Sequence, residues 1–345
     1  MSPDQQQLPS APFPILTSVA ELRQWRAEQL QQRKTVGFVP TMGALHDGHI
    51  SLVNESLSNT DSTIVSIFVN PAQFAPTEDL ATYPRTLESD LERLKSAQSN
   101  PSKTTTLRKV AALFLPPVSA LYPSGITTQV SEQRGTFVEV KGLQEVMEGV
   151  SRPGFFRGVA TVVLKLFNLV QPTRAFFGQK DIQQCLLLRR MLLDLHVPHP
   201  LPSDLVIIPT YRDASTHLAL SSRNAYLSEA ERPWATVLID GLKACENEWL
   251  RQRSENVDGC VLVGTVLDQA KQHFAKVQEQ ASRSAKKGTE VTLSPIYVKL
   301  NDPLELTDLK DDYVVPRGQG AILSGAVMLG RTRLIDNLVL EFELN

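Results

Sequence analysis

The feature that most restricts the fold is an alternation of short apolar runs with amphipathic runs over the first two-thirds of the chain. In chain order we predict a strand at 36–40, a helical run from 50, a strand at 63–69, a helix at 87–97, a strand at 110–115, a helix at 159–170, a strand at 174–177, a helix at 182–195 and a strand at 205–208. Strands joined by crossover helices form a parallel sheet covered on both faces. The pattern therefore predicts an α/β domain whose ligands bind at the carboxyl ends of the strands.

The pattern of apolar and charged residues changes after about residue 210. Long charged helical stretches at 228–250 and 257–280 precede short predicted strands near 291–298, 321–329 and 334–342. We predict a disordered tail at 1–14, a first domain at 15–211 and a smaller α+β domain at 212–345. Two polar stretches without periodicity, 98–109 and 280–290, are interpreted as surface insertions without chemistry.

Composition excludes several classes of protein. The 345 residues contain 42% hydrophobic and 21% charged side chains, and the net charge of −2 argues against nucleic acid as the main partner. No apolar stretch approaches the roughly 18 residues that a membrane helix needs. Cys185, Cys245 and Cys260 are isolated in sequence, which fits a reducing compartment. We therefore expect a cytoplasmic protein that has no membrane partner.

The strongest functional signal is a pair of histidines, His46 and His49, shortly after the first predicted strand. A strand, a turn containing Gly43 and a helix start together point free backbone N–H groups and the helix dipole at an anion. Side chains at i and i+3 share one helix face, so both imidazoles can reach one phosphate oxygen. They can neutralise the charge that develops when a phosphoric anhydride breaks. A metal pair and two solvated histidines are the alternatives.

Three further segments follow predicted strands or lie in polar loops. Asn70 and Gln73 carry amides that can hold a carboxylate or a hydroxyl, although Asn-Pro is also an ordinary turn initiator. Lys180 is a mobile cation suited to nucleotide phosphates. Segment 221–223, Ser-Ser-Arg, combines two hydroxyls with a guanidinium, which can bind phosphate oxygens. Each segment by itself is also compatible with a structural turn.

Together these segments closely resemble the pantothenate synthetases, also called pantoate–β-alanine ligases. The stretches that carry the resemblance are 39–49, 65–74, 83–86, 148–154, 158–181 with Gln183-Gln184, 220–224 and 331–337. They cover most of residues 36 to 230 and return after about 291. Each stretch is common, but the ordered set is specific. The long polar insertions resemble a eukaryotic, fungal-like branch of the family.

The resemblance implies a fold and a reaction. The fold is a Rossmann-like nucleotidyl-transferase domain with a parallel sheet, followed by the smaller α+β domain acting as a lid. In the reaction, the carboxylate of (R)-pantoate attacks the α-phosphate of ATP, giving pantoyl adenylate and pyrophosphate. The amine of β-alanine then displaces AMP to give pantothenate. ATP is a substrate, Mg²⁺ is expected with its phosphates, and a homodimer is expected.

The resemblance also assigns roles to residues of this chain. The predicted catalytic residues are His49, which the family assigns as proton donor, His46, Lys180 and Arg223. The predicted ATP-binding residues are Met42, Gly43, Ala44, Leu45, His46, Asp47, Gly48, His49, Gly178, Gln179, Lys180, Asp181, Leu220, Ser221, Ser222 and Arg223. The residues predicted to bind pantoate and β-alanine are Gln73, Gln184 and Asn70. No protein ligand for Mg²⁺ follows from the resemblance.

Two positions depart from the family pattern. Phe155 stands where the family usually has His after Arg-Pro-Gly, and His217 stands where it usually has Gly, a change that should stiffen that loop. Two other functions stay open. One is a related nucleotidyl transferase with a different acid or nucleotide substrate. The other is a non-catalytic binding module of the same fold, against which the presence of both histidines, Lys180 and Arg223 argues.

Overall fold

The computed structural model describes residues 8–76, 78, 80–284 and 291–345. Two compact units divide the chain. The first contains the chain up to Val140, Arg152–Phe177 and Leu187–Ile208, and the second contains Lys141–Ser151, Gly178–Leu186 and Pro209–Asn345. Two short internal segments thus belong to the C-terminal unit. The domain boundary predicted between residues 211 and 212 stays a prediction from the sequence.

The first unit is built on a parallel sheet. In chain order the elements up to residue 208, apart from one short helix of the second unit, are β1 (Ile15–Leu16), α1 (Val19–Gln31), β2 (Val36–Thr41), α2 (Asp47–Asn59), β3 (Ser62–Ile67), α3 (Leu87–Ser96), β4 (Val110–Phe114), α4 (Val118–Leu121), α6 (Phe155–Val170), β5 (Arg174–Gly178), α7 (Ile182–Asp194) and β6 (Leu205–Ile208). The described strands form one six-stranded sheet in the order β1-β4-β3-β2-β5-β6. β2 runs parallel to β3 and β5, and β4 runs parallel to β3 and β1. The predicted α/β class is confirmed.

The sheet buries a continuous apolar layer. β3 is buried at every position, which is why its sequence lacks the alternation of a half-exposed strand. Val39, Val53 and Leu91 join strands and helices in one core cluster. The strand order changes direction at β2, between β3 and β5, and such a switch point is where open α/β sheets bind ligands, at the carboxyl ends of the strands.

The N-terminal segment differs from the prediction. Residues 1–7 of the predicted tail lie outside the described residues, but Phe13 is buried in the core and Pro14 accepts a backbone hydrogen bond from Leu113. Disorder through residue 14 is therefore wrong. Helix α1 was not predicted, although a capping box marks it: Ser18 Oγ accepts from Glu21 N–H at 3.2 Å and the Glu21 carboxylate accepts from Ser18 N–H at 2.9 Å.

The second unit is α+β, as predicted. Its elements are α5 (Glu148–Ser151), α8 (Val237–Glu255), β7 (Val261–Leu262), α9 (Val263–Ser284), β8 (Leu293–Asn301), β9 (Val314–Val315), β10 (Ala321–Leu329) and β11 (Thr332–Leu340). β10 pairs antiparallel with both β8 and β11, and β7 pairs antiparallel with β9. α8 packs closely on this sheet, because a Cβ at Gly325 of β10 would lie 2.8 Å from Leu238.

Several predicted bounds in the second unit were wrong. The helix predicted from 228 begins at Val237, after a 3-10 turn at Arg232–Trp234, and the helix predicted from 257 begins at Val263. The predicted insertion at 280–290 begins inside α9, and its residues 285–290 lie outside the described residues. His273 of α9 has a buried Nε2, and burial lowers the pKa of its imidazole.

The loop at 98–109 is an ordered surface loop. Ser99 and Arg108 close it through backbone and side-chain hydrogen bonds, and Lys103 pairs with Glu55 of α2 at 2.7 Å.

Cys185 and Cys245 are buried thiols and Cys260 is a half-buried one; none of the three forms a disulfide. No helix among residues 8–76, 78, 80–284 and 291–345 combines the length and the apolar character that a membrane span requires.

Candidate active site

In the first unit, the turn that follows β2 is fixed by a buried carboxylate. Asp90 of α3 is 1% exposed. Its two oxygens accept the backbone N–H groups of Ala44 at 3.1 Å and Leu45 at 2.7 Å. Gly43 has φ +85°, and a Cβ there would lie 3.1 Å from Asp90 Oδ2. Asp90 was not singled out from the sequence, because an acidic residue in a charged helix carries no signal of burial.

The two histidines begin α2 and cap each other. Nδ1 of His46 accepts from Gly48 N–H at 3.2 Å, and Nδ1 of His49 accepts from His46 N–H at 3.3 Å. Their ring centroids are 4.0 Å apart. Since Nδ1 is an acceptor in both rings, the proton of each neutral imidazole is on Nε2. The pairing puts two Nε2–H donors on one half-buried helix start.

These contacts correct one expectation. The sequence predicted free backbone N–H groups pointing at an anion. Instead, the N–H groups of Ala44 and Leu45 are bonded to Asp90, and those of His46 and Gly48 are bonded to imidazole nitrogens. The donors that this turn can offer to a phosphate are therefore mainly on side chains. Asp47 is exposed at the same helix start and pairs with Arg93 at 2.7 Å.

Gln73 is held by a buried amide at the end of β3. Nδ2 of Asn70 donates to Gln73 Oε1 at 2.9 Å and to Gly158 O at 3.1 Å, and its Oδ1 accepts from Tyr122 Oη at 2.7 Å and from Ala72 N–H at 3.4 Å. Both donors and both acceptor sites of Asn70 are thus used. Nε2 of Gln73 faces Met42 Sδ at 3.2 Å. Asn70, predicted as a substrate ligand, therefore positions Gln73 in this arrangement.

A glycine makes that arrangement possible. Gly158 of α6 packs on the 3-10 turn Pro71–Gln73, and a Cβ there would lie 2.2 Å from Ala72 O. Any other residue would push the turn, and Gln73 with it, away from the helix. Gly158 begins the stretch 158–181 that carries the family resemblance, and this close backbone approach is a physical reason for a glycine there.

Gln73 and Phe155 line one cavity of the first unit. Arg152 lines the same cavity, with its guanidinium 3.7 Å from the Phe155 ring centroid and two hydrogen bonds of 2.8 Å to the Glu78 carboxylate. The aromatic ring that replaces the family's usual His thus stacks on a neutralised guanidinium. An imidazole there would face the same cation.

In the second unit, a buried amide fixes the turn that carries Lys180. Asn337 of β11 is 2% exposed, and its Nδ2 donates to the carbonyl oxygens of Gln179 at 2.9 Å and Lys180 at 3.0 Å. Nε2 of Gln179 donates back to Asn337 Oδ1 at 3.3 Å. The neighbouring Asp336 accepts from both Nη atoms of Arg212, at 2.6 and 2.9 Å. Lys180 and its partners in this network all belong to the second unit.

Lys180, Ser221 and Arg223 line one cavity, together with Arg333 and Asp336. Ser221 begins a 3-10 turn, Ser222–Tyr226, and its Oγ accepts from Arg223 N–H at 3.3 Å. Arg333 is bonded to the carboxylate of Glu148, which also accepts from Tyr297 Oη at 2.7 Å. Burial and that carboxylate raise the pKa of Tyr297. Three predicted phosphate-binding residues are thus brought together, with Gly178, Asp181, Leu220 and Ser222 in the adjoining backbone.

The two adjacent glutamines of α7 differ in burial and in hydrogen bonding. Gln183 is 3% exposed and makes hydrogen bonds with Leu143 O at 2.9 Å, Val146 O at 2.7 Å and Glu148 N–H at 2.9 Å. Gln184 is half-buried, and its amide has no hydrogen-bond partner in the described part of the chain. Gln184, which the resemblance matched to pantoate, is therefore the one with capacity left for a ligand.

No group of three or more His, Cys, Asp or Glu side chains is arranged to hold a metal ion within the described ranges. The two histidines face each other and the helix start. The described part of the chain therefore shows no such cluster of ligands for Mg²⁺.

Comparison with known proteins gives one consistent relationship. The sequence model of the family described as pantoate-beta-alanine ligase matches residues 14–339. The pantoate–β-alanine ligase of Saccharomyces cerevisiae is 41% identical over 336 residues, which covers 94% of this chain and 99% of the yeast protein. The pantothenate synthetase of Roseiflexus castenholzii is 41% identical over 323 residues, with 94% and 99% covered.

Solved structures give the same relationship. Pantothenate synthetase from Thermus thermophilus matches with a TM-score of 0.73 at 37% identity, covering 94% of this chain and 99% of that one. The pantoate-beta-alanine ligase of Francisella tularensis, solved with beta-gamma ATP and beta-alanine, has a TM-score of 0.63 at 28% identity, with 96% and 99% covered. This chain belongs to the pantoate–β-alanine ligase family.

Proposed function

We propose that this protein joins (R)-pantoate and β-alanine to form pantothenate, with conversion of ATP to AMP and pyrophosphate. The observation that carries the proposal is the family match over residues 14–339, supported by two prepared groups of donors, one in each unit. The carboxylate oxygen of pantoate attacks the α-phosphorus of ATP, and pyrophosphate leaves. The amine of β-alanine then attacks the acyl carbon of pantoyl adenylate, and AMP leaves.

In the first unit, His46 and His49 act on the nucleotide. Their Nε2–H groups donate to phosphate oxygens as negative charge develops on the α-phosphate, and His49 is the proton donor. Preorganised donors of this kind need no rearrangement during the reaction. Met42, Gly43, Ala44, Leu45, Asp47 and Gly48 shape the nucleotide turn. Gln73 binds pantoate and then β-alanine, and Asn70 acts through Gln73.

In the second unit, Lys180 and Arg223 neutralise ATP phosphates. Arg223 can bind two phosphate oxygens with its planar fork, whereas Lys180 acts as a point charge. Ser221, Ser222 and Leu220 supply the loop, and Gly178, Gln179 and Asp181 form the segment around Lys180. Gln184 binds pantoate. Charge neutralisation and positioning suffice for carboxylate adenylation, so no covalent nucleophile is needed.

Mg²⁺, subunit state and location complete the proposal. Because the described residues offer no built metal site, Mg²⁺ enters with the ATP phosphates, and no step is derived through a protein-bound ion. The active form is a homodimer in the cytoplasm.

The test is AMP formation from ATP, pantoate and β-alanine, with each substrate omitted in turn. We expect AMP only in the complete mixture, apart from one equivalent or less without β-alanine. ATP and pantoate alone should support exchange of labelled pyrophosphate into ATP. Exchange that requires β-alanine would rule out the two-step order. A panel of other carboxylic acids and nucleotides tests the related nucleotidyl transferase, and an absence of any AMP formation would favour the binding module.

A further inference from the structure

A second cavity of the first unit lies apart from the residues assigned above to ATP, pantoate and β-alanine. It has a volume of about 470 Å³, and Arg23 of α1, Arg134 and Lys165 of α6 line it, with Tyr122 and Phe137 as aromatic walls. We call it the basic cavity. No Asp or Glu is among the described residues that line it.

Within the described ranges, the three cations of the basic cavity have no acidic partners. Neither Arg23, Arg134 nor Lys165 forms an ion pair with a carboxylate of the described residues. Arg157, by contrast, pairs with Glu139 at 3.5 Å on the same helix as Lys165. In a protein with a net charge of −2, three unpaired cations around one concavity create a local positive potential that attracts anions.

Lys165 is the most buried of the three cations. Its Nζ donates to Leu121 O at 2.8 Å and lies 3.8 Å from the ring centroid of Tyr122. An ammonium has three donors, and a half-buried one without a counter-ion is costly. Burial lowers the pKa of Lys165. An anion in the cavity would supply the missing partner.

We propose that the basic cavity binds a small organic anion that carries two or more phosphate or carboxylate groups. Arg23 and Arg134 hold its outer anionic group and Lys165 its inner one. The aromatic walls accommodate a compact organic body.

The basic cavity is connected to Gln73 by one wall. Tyr122 contacts Lys165 through its ring and donates its hydroxyl to Asn70 Oδ1 at 2.7 Å, and Asn70 donates to Gln73. An anion that draws the Lys165 ammonium off the ring changes the surroundings of Tyr122, and the buried amide transmits that change. Occupancy of the cavity therefore alters substrate affinity at Gln73. This second part rests on the proposed function, whereas the binding itself does not.

The binding test is calorimetric titration of the full-length protein with citrate and, separately, with fructose 1,6-bisphosphate. Each carries at least two anionic groups, so the pair distinguishes carboxylate from phosphate ligands. A non-hydrolysable ATP analogue is present at saturating concentration, so that the probe does not bind at the positions of the nucleotide phosphates. We expect one probe to bind to the wild-type protein. Its affinity should fall at least about tenfold in the double variant Arg23→Ala/Arg134→Ala, because charge-assisted hydrogen bonds are lost. Lys109→Ala, an exposed lysine of the same unit outside the cavity, should bind like wild type.

Two results would overturn the site: binding of neither probe, or equal affinity in the double variant and wild type. Both arginines are exposed, so their removal should leave the fold intact, and thermal unfolding checks this. Lys165→Met, which keeps the aliphatic stem, should also lose affinity. If the protein makes no pantothenate but binds the probe in this pattern, the site stands while the proposed function fails.

The connection is tested by steady-state kinetics with the bound probe. We expect the KM for pantoate or β-alanine to change about fivefold at saturating probe. Tyr122→Phe removes the hydrogen bond to Asn70 but keeps the ring, so it should bind the probe while its KM values no longer respond. A response of Tyr122→Phe equal to that of wild type would refute the connection.

Discussion

The turn that carries the histidines and the turn that carries Lys180 are both fixed by a buried polar side chain from a distant part of the chain, with opposite polarity. Asp90 accepts two backbone N–H groups in the first unit, from a partner as far as 46 residues away. Asn337 donates to two backbone carbonyls in the second, 157 and 158 residues away. In each case these backbone groups are satisfied internally, and the half-buried side chains of the turn are left to meet the ligand.

The difference teaches which groups each turn can offer. With its N–H groups bonded to a carboxylate, the first turn presents neutral imidazole donors. In the second turn the carbonyl oxygens of Gln179 and Lys180 are bonded to the Asn337 amide, and Lys180 and Arg223 line the cavity. Engaging the Gln179 and Lys180 carbonyls removes acceptors that would repel an anion. Engaging the Ala44 and Leu45 N–H groups instead leaves anion binding at the first turn to the imidazole side chains.

The largest effect is expected from the histidines. His49→Ala or His46→Ala should slow pantoate-dependent pyrophosphate exchange by about 10²–10³, because a preorganised donor to the developing charge is lost. Each variant also loses a helix cap, which costs about 1 kcal/mol of unfolding free energy. Ser18→Ala removes the cap of α1, away from the site, and should show the stability loss without the loss of exchange. Equal exchange rates in all three variants would contradict the catalytic role.

Exchanging the two positioning residues tests the comparison directly. Asn337→Asp places a carboxylate against two carbonyl oxygens and should cost about 3 kcal/mol of unfolding free energy or more. Asp90→Asn keeps one acceptor and turns an NH₂ toward Ala44 N–H, costing about 1–3 kcal/mol. Both should lower the rate of adenylation up to about 10²-fold through misplaced turns. Denaturant unfolding and exchange kinetics measure the two quantities.

The exposed Asp194 at the end of α7 gives the control for that exchange. Asp194→Asn changes the same groups at the surface and should stay within about 0.5 kcal/mol of wild type. If Asp90→Asn proves no more costly than Asp194→Asn, the carboxylate does not fix the histidine turn.

A smaller effect separates the two glutamines of α7. Gln184→Ala should raise the KM for pantoate about tenfold, as loss of one hydrogen bond predicts, with little change in stability. Gln183→Ala should instead lower the unfolding free energy by about 1–3 kcal/mol, because it leaves buried backbone groups unpaired. Steady-state kinetics measures the KM for pantoate and thermal unfolding measures the stability of both variants. A raised KM in Gln183→Ala together with a stability loss in Gln184→Ala would contradict the assignment.

The smallest effect concerns pH and the loop before Ser221. Hydrogen bonds from the Ser215 hydroxyl, from Thr216 N–H and from the Thr216 hydroxyl lower the pKa of Asp213 to about 2 from 3.8. A depressed folded-state pKa contributes stability above the unfolded value, which is lost as pH falls through about 2. Asp213→Ala should therefore melt below wild type at neutral pH, with a difference that shrinks on acidification. A difference independent of pH would assign the loss to packing.

Much of the fold was accessible from sequence, with particular gaps. Strands β4, β5 and β6 and helix α7 begin where the periodicity predicted, because buried strands and amphipathic helices leave local patterns. Helix α8 begins nine residues later than predicted, since the charged residues before it carry no period that separates a loop from a helix. His217 lies at φ +61°, in the left-handed region that favours glycine, and no local pattern in the sequence predicts that backbone angle.

By itself the sequence determined the α/β class, the family and the polar residues that follow the strands, because each depends on local order along the chain. Only the tertiary structure decided which of those residues are left for a ligand. Asn70 and Gln183 are occupied by partners that the fold brings in from 35 or more residues away, while Gln184 is not. A side chain's hydrogen-bonding capacity is finite, and how much of it is used depends on contacts that sequence neighbours do not specify.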